Sequence, residues 1–190
     1  MKTTRGLRAL TGVLALALAL TACGGGDEEA EPAATDSETE AADAGEEIQV
    51  TGVDYAYEGA PSTAEAGTRL TFANGSENEA HEMVLVRIQD GEERPLEELL
   101  ALPQEESESL VEFQGVAFAF PGEEAMYPEG ETVLSEAGRY AIVCFIPVGQ
   151  DIEQLRAAIA AQGEDAEGPP EMGDGPPHFT QGMAAEITVS

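Results

Sequence analysis

Beyond position 8 the chain has no lysine, and only five arginines (Arg69, Arg87, Arg94, Arg139 and Arg156) stand against 38 acidic residues. All the acids lie after residue 22, so the part that follows carries a net charge of −33. Such a surface repels nucleic-acid phosphates, which argues against DNA or RNA as a partner. It also offers no basic patch to anionic lipid. Solubility or a salty habitat accounts for the acids better than a specific acidic function does. Cysteine and histidine are equally scarce: Cys23 and Cys144, His81 and His178. Two histidines cannot make a three-histidine zinc site. The G-x-S-x-G, G-x-G-x-x-G and P-loop patterns are absent. Carboxylate pairs occur everywhere in so acidic a chain and say nothing about acid–base chemistry.

What basic charge there is at the start has a reading of its own. Lys2, Arg5 and Arg8 precede an apolar run from Leu10 to Leu20, too short to span a bilayer and shaped like an export signal over residues 1–22. Leu20-Thr21-Ala22-Cys23 followed by three glycines resembles the bacterial lipobox, which implies that Cys23 is lipidated and becomes the N-terminus. The expectation is a lipid-anchored protein outside the cytoplasmic membrane, its attachment made durable by more than one acyl chain. Residues 23–46 follow with Gly, Ala, Ser, Thr, Pro, Asp and Glu and no large apolar side chain. They cannot bury enough surface to offset ordering entropy, and are read as a disordered tether reaching roughly 25 Å.

The remaining 47–190 is read as one folded domain. Residues 48–53, 68–73, 81–88, 111–120, 132–134, 139–146 and 185–189 have strand character, with Ala66-Gly67, Asn74-Gly75, Asp90-Gly91, Pro121-Gly122 and Ala137-Gly138 turning between them. The segment 139–146 is the most apolar and is expected at the sheet centre. Residues 95–100 read as a short helix with proline in its first turn. Ile152, Leu155 and Ile159 recur at helical spacing, placing a second short helix in an insertion over 148–177. No βαβ alternation and no repeat is visible, so the fold class is an all-β sandwich.

If Cys23 carries lipid, Cys144 has no partner, and an odd cysteine in an exported protein needs a reason. Inert burial is the plain one. Together, however, Cys144, His81, His178 and Met183 are one thiol, two imidazoles and a thioether, the donor set of a blue-copper site with its long axial methionine bond. At this point the chain resembles a cupredoxin of the plastocyanin and azurin kind. His81 opens a strand after a loop containing Asn74. Gly138-Arg139-Tyr140-Ala141-Ile142-Val143-Cys144 is similar to the family's G-x-Y-x-x-x-C segment. His178 and Met183, with Gly182 before the methionine, are similar to its His–Met spacing.

The resemblance implies a cupredoxin-like Greek-key β-sandwich, with a short helix after the third strand and a helix-containing insertion before the last. It implies one type 1 copper ion on His81, Cys144, His178 and Met183, one-electron transfer or copper handling rather than enzymatic turnover, and a redox protein as partner. The departure from the family is the 33 residues between Cys144 and His178, where relatives have about ten or fewer. Loop closure entropy grows slowly with length, so the insertion does not forbid the site. Asn74 is expected to tie the ligand loops together by hydrogen bonds. Two other readings stand beside this one. The same fold without metal would be a surface binding module using 148–177, and a Cys144/His178 dyad would be a thiol enzyme.

Overall fold

Apolar alternation builds the strands, and their register decides where the few polar exceptions meet. A computed structural model describes residues 45–161 and 172–190. The export segment 1–22, Cys23 and the tether through residue 44 lie outside the described residues, as does 162–171 within the expected insertion.

The strands are β1 (Glu47–Val53), β2 (Ala56–Glu58), β3 (Thr63–Ala64), β4 (Thr68–Asn74), β5 (His81–Ile88), β6 (Val111–Ala119), β7 (Met126–Gly130), β8 (Val133–Leu134), β9 (Gly138–Val143) and β10 (Ala184–Val189). One sheet runs β2-β1-β4-β8 and the other β3-β10-β9-β5-β6-β7. The pairs β1/β4 and β10/β3 are parallel, and the remaining ladders antiparallel. The expected all-β, cupredoxin-like sandwich is what forms. Its core is the inward stripe of both sheets: Val50, Leu70, Phe72 and Leu134 from one, Met83, Leu85, Tyr140, Ile142 and Ile187 from the other. Each such side chain taken out of water contributes about 1.5–3 kcal/mol.

Strand β9 is buried on both faces from Tyr140 to Val143 and lies between β5 and β10, as its unbroken apolar run predicts. Its outer face is covered by α1 (Leu96–Leu100), where Leu99 packs with Ile88, Ala141 and Val143. A further helix, α2 (Gln104–Glu108), was not expected. Like α1 it starts directly after a proline, Pro103 here and Pro95 there. Strands β2, β3 and β7 were also not expected. β7 is exposed at every position, so it carries no alternation to read.

β1 starts at Glu47, and the carbonyl of Glu46 just before it accepts the Arg69 N–H at 2.8 Å. β9 ends at Val143 rather than at Ile146, because the backbone groups of Cys144 and Ile146 bond to the ligand loop and the Phe145 N–H bonds to the Glu82 side chain rather than to the β5 backbone. The expected insertion helix forms as α3 (Ile152–Ala161) and contains Ile152, Leu155 and Ile159. Leu155 on α3 is buried, and Ile152 and Ile159 pack with it onto Phe118, Phe120 and Ile146.

Candidate metal centre

The ladders carry the four predicted site residues to one end of the sandwich. Val84 of β5 and Ala184 of β10 both pair with Val143 of β9. His81, at the start of β5, Cys144, one step beyond β9, and Met183, one step before β10, therefore fall at the same edge. His178 opens a short 3-10 helix, His178–Gln181, closed by Gly182 at φ 112. That left-handed conformation favours glycine and turns the chain toward Met183.

Backbone bonds stitch this loop together. The Cys144 N–H donates to the Met183 carbonyl (3.2 Å), the Phe179 N–H to the Cys144 carbonyl (3.0 Å), and the His178 N–H to the Ile146 carbonyl (2.9 Å). The insertion is pinched at its base, where Pro147 bridges Pro177 and the Val148 N–H reaches the Pro176 carbonyl at 2.9 Å. Cys144 and His178 are 34 positions apart in sequence yet adjacent in space, and the long excursion leaves and re-enters through that neck.

The His81 and His178 Nδ1 atoms are 3.2 Å apart, and the Cys144 Sγ is 3.4 Å from His178 Nδ1. All three donor atoms lie within 4.8 Å of one another, and all three residues have no solvent exposure. An ion with bonds of about 2.0–2.3 Å fits between groups at these separations. One thiol with two imidazoles suits copper. Met183 is also fully buried and packs in the same apolar cluster as Cys144. Its methyl and the His81 Cβ both lie against Gly52 of β1, 3.0 and 3.1 Å from where a side chain there would begin. The three donors thus converge, with Met183 beside them.

The electrostatics fit a dry site kept neutral without an ion. Burial, helped by the neighbouring His178 ring, pushes His81 down to about 4, with Asp54 opposing. Burial also lowers His178, against the pull of Glu79. The Cys144 thiol is pushed up to about 12, first by burial and then by Glu82, while the backbone N–H groups of Glu82 and Ile146 pull the other way. Full burial and the raised pKa place this thiol poorly for the thiolate chemistry that a Cys144/His178 dyad needs.

The structure moves one role that the sequence misassigns. Asn74 does not join the ligand loops. Its Nδ2 donates to the Glu79 and Ala119 carbonyls, both at 2.9 Å, and its Oδ1 accepts the Ser76 N–H at 2.8 Å, so it shapes the turn before His81. The residue that joins them is Glu82. Its Oε1 accepts the Phe145 N–H at 2.9 Å, linking the residue after His81 to the residue after Cys144. Burial raises its carboxyl to about 7, and the Phe145 bond opposes that rise. In a chain with 38 acids, nothing in the sequence marks Glu82 out.

The Greek-key sandwich with His, Cys and His gathered at one end makes this a cupredoxin-like domain with a candidate copper site. No family model matches the chain, and no curated protein sequence does. Among solved structures it is similar to a dithionite-reduced auracyanin from the photosynthetic bacterium Roseiflexus castenholzii, at 17% identity, covering 77% of this chain and 98% of that one with a TM-score of 0.43. Auracyanin A, a "blue" copper protein from the green thermophilic Chloroflexus aurantiacus, is similar at 17% identity, covering 76% and 98%, TM-score 0.41. Auracyanin B follows at 17% identity, covering 76% and 88%, TM-score 0.39. Likenesses this low add no weight to the geometry already described.

Proposed function

We propose that the chain is a membrane-anchored, extracytoplasmic copper protein that carries single electrons, in which His81, Cys144 and His178 would hold the ion and Met183 would complete the donor set. The observation that carries this reading is the meeting of three fully buried donors within 4.8 Å. Without an ion the two imidazoles and the thiol have only one another as partners at these atoms, and an ion gives all three a common one. Bound copper supplies one-electron redox chemistry, and the residues fix its surroundings. The loop bonds from Cys144, Phe179 and His178 hold the donors in place, so little rearranges when charge changes.

Full burial of all four donors favours electron exchange over copper delivery, since release to a partner needs an open coordination edge. Phe145 follows Cys144, is 40% exposed, and stacks edge-on with Phe179 at 5.4 Å between ring centres. This pair gives the centre an apolar outlet at the surface. The excess of acids over bases in the chain favours a redox partner with cationic groups around its own docking face. The lipid anchor rests on Cys23 and the residues before it.

Titrating the purified domain with Cu(II) should produce an intense visible thiolate-to-copper band at one ion per chain. Cys144→Ser should abolish it while the fold survives. A colourless, metal-free protein would leave a tethered binding module instead. Labelling cells with a lipid probe tests the anchor: the label should be lost in Cys23→Ala, and label retained there would place the attachment elsewhere.

A further inference from the structure

Five buried side-chain polar atoms lack a partner among the described residues, and three of them, on Glu79, His81 and His178, lie at the candidate metal centre. The His178 Nε2 and the Glu79 Oε2 are two of them, and they face each other at 3.6 Å. A shift of a few tenths of an ångström makes this a charge-assisted hydrogen bond. Glu79 is not a wandering surface acid. Its N–H donates to Ser76 Oγ at 3.1 Å, its carbonyl accepts from Asn74 Nδ2 at 2.9 Å, and its other carboxylate oxygen accepts the Tyr55 hydroxyl at 3.3 Å. Ser76 Oγ in turn donates to Asp54 Oδ1 at 3.0 Å.

Tyr55 sits at φ 62, the left-handed region, where a bulky residue is strained. That conformation in the β1–β2 turn lays the phenol ring edge-on against the His178 imidazole, 5.0 Å between centres. Ring and carboxylate together close the side of His178 that faces away from Cys144.

We infer that Glu79, held by Tyr55, Asn74 and Ser76, is a positioning residue that keeps the His178 proton on Nε2, aims the Nδ1 lone pair at the ion and biases the centre toward Cu(II). The inference deepens the copper reading and rests on it. An imidazole whose far N–H meets a carboxylate is a stronger donor with a fixed tautomer. The nearby negative charge also stabilises the more positive oxidation state of the ion. In the metal-free protein the same logic assigns the roles across the 3.2 Å Nδ1–Nδ1 contact: His81 donates and His178 accepts.

Three measurements on the full domain test this. In the metal-free wild type, imidazole 15N shifts should show His178 protonated at Nε2. In Glu79→Leu the Nδ1-protonated form should become comparably populated. In copper-loaded Glu79→Gln, which keeps the shape and an acceptor but loses the charge, Cu(II) binding should weaken about tenfold relative to Cu(I). That ratio is a rise in potential of about 59 mV for one electron. A wild-type His178 protonated at Nδ1, or an unchanged potential in Glu79→Gln, overturns the role of Glu79 while an intact visible band leaves the copper reading standing. A wild type that never develops the band overturns the copper reading, and the 15N result still decides whether Glu79 sets the tautomer. Should Glu79→Leu fail to fold, the wild-type shifts and Glu79→Gln carry the test.

Discussion

Replacing Gly52 by alanine is the sharpest probe of how closely β1 is packed against the centre. A Cβ there would begin 3.0 Å from the Met183 methyl, 3.0 Å from the tip of the Phe72 ring and 3.1 Å from the His81 Cβ. Carbon atoms sit best at about 3.5–4.0 Å, so each neighbour has to retreat by about half an ångström. Gly52 is buried and paired on both sides, with Tyr57 of β2 and Asn74 of β4, so the backbone cannot swing away. Overpacking of this kind costs about 1–3 kcal/mol. For a chain of this size each kcal/mol lowers Tm by about 2–4 °C. Two of the three displaced groups belong to proposed copper donors, so the visible band should move in energy and intensity along with the loss in Tm. Gly91→Ala is the control. Gly91 has φ 86 and nothing within 4 Å of its would-be side chain. It should lose about 1–2 kcal/mol to left-handed strain and leave the spectrum untouched. Thermal melts and absorption spectra of both variants decide the matter. A Gly52→Ala protein with wild-type Tm and wild-type colour would refute the packing argument.

Other outcomes follow from the same structure. Leu155→Ala on α3 should cost about 2–5 kcal/mol in urea unfolding, because Leu155 is 1% exposed; a loss below 1 kcal/mol would show that the helix does not pack as described. The Arg139 guanidinium forks onto Glu186 at 2.8 and 2.9 Å and holds that carboxyl below its usual range, while hydrogen bonds from Arg94 hold Glu92 at about 2. Both pKa values are depressed by folding, so this stabilisation is complete above about 4.5 and is lost as pH falls toward 2. Arg139→Met should therefore remove the Glu186 share of the acid limb, below about 4.5, and leave the Arg94–Glu92 share; an unchanged limb would contradict the assignment. Metal-free Cys144 should react with iodoacetamide far more slowly at neutral pH than the same protein in urea. Fast alkylation of the folded form would mean the thiol is neither buried nor held at about 12.

Strand alternation and turn residues made the sandwich legible, because a half-buried sheet writes its burial directly into the sequence at period two. The donor set was legible for a different reason: with two cysteines and two histidines in the chain, there was almost nothing else to choose. What stayed hidden was decided by three-dimensional packing. Glu79 and Glu82 are two acids among 38, and only the turn before His81 and the exit of β9 give them partners. Tyr55 does its work through a backbone angle that composition does not reveal. β9 stopped short of its apolar run because Cys144 and Ile146 found hydrogen-bond partners in the ligand loop, and an apolar stretch reads the same whether it pairs with a strand or with a loop.

The proline neck at Pro147 and Pro177 bears on how such a protein can diversify. The chain is clamped where the excursion departs and returns, yet α3 inside it packs on Phe118, Phe120 and Ile146 in the same apolar cluster as Cys144 and Met183. The helix is therefore part of the wall behind the centre, and an engineer who grafts a recognition segment there has to spare Ile152, Leu155 and Ile159.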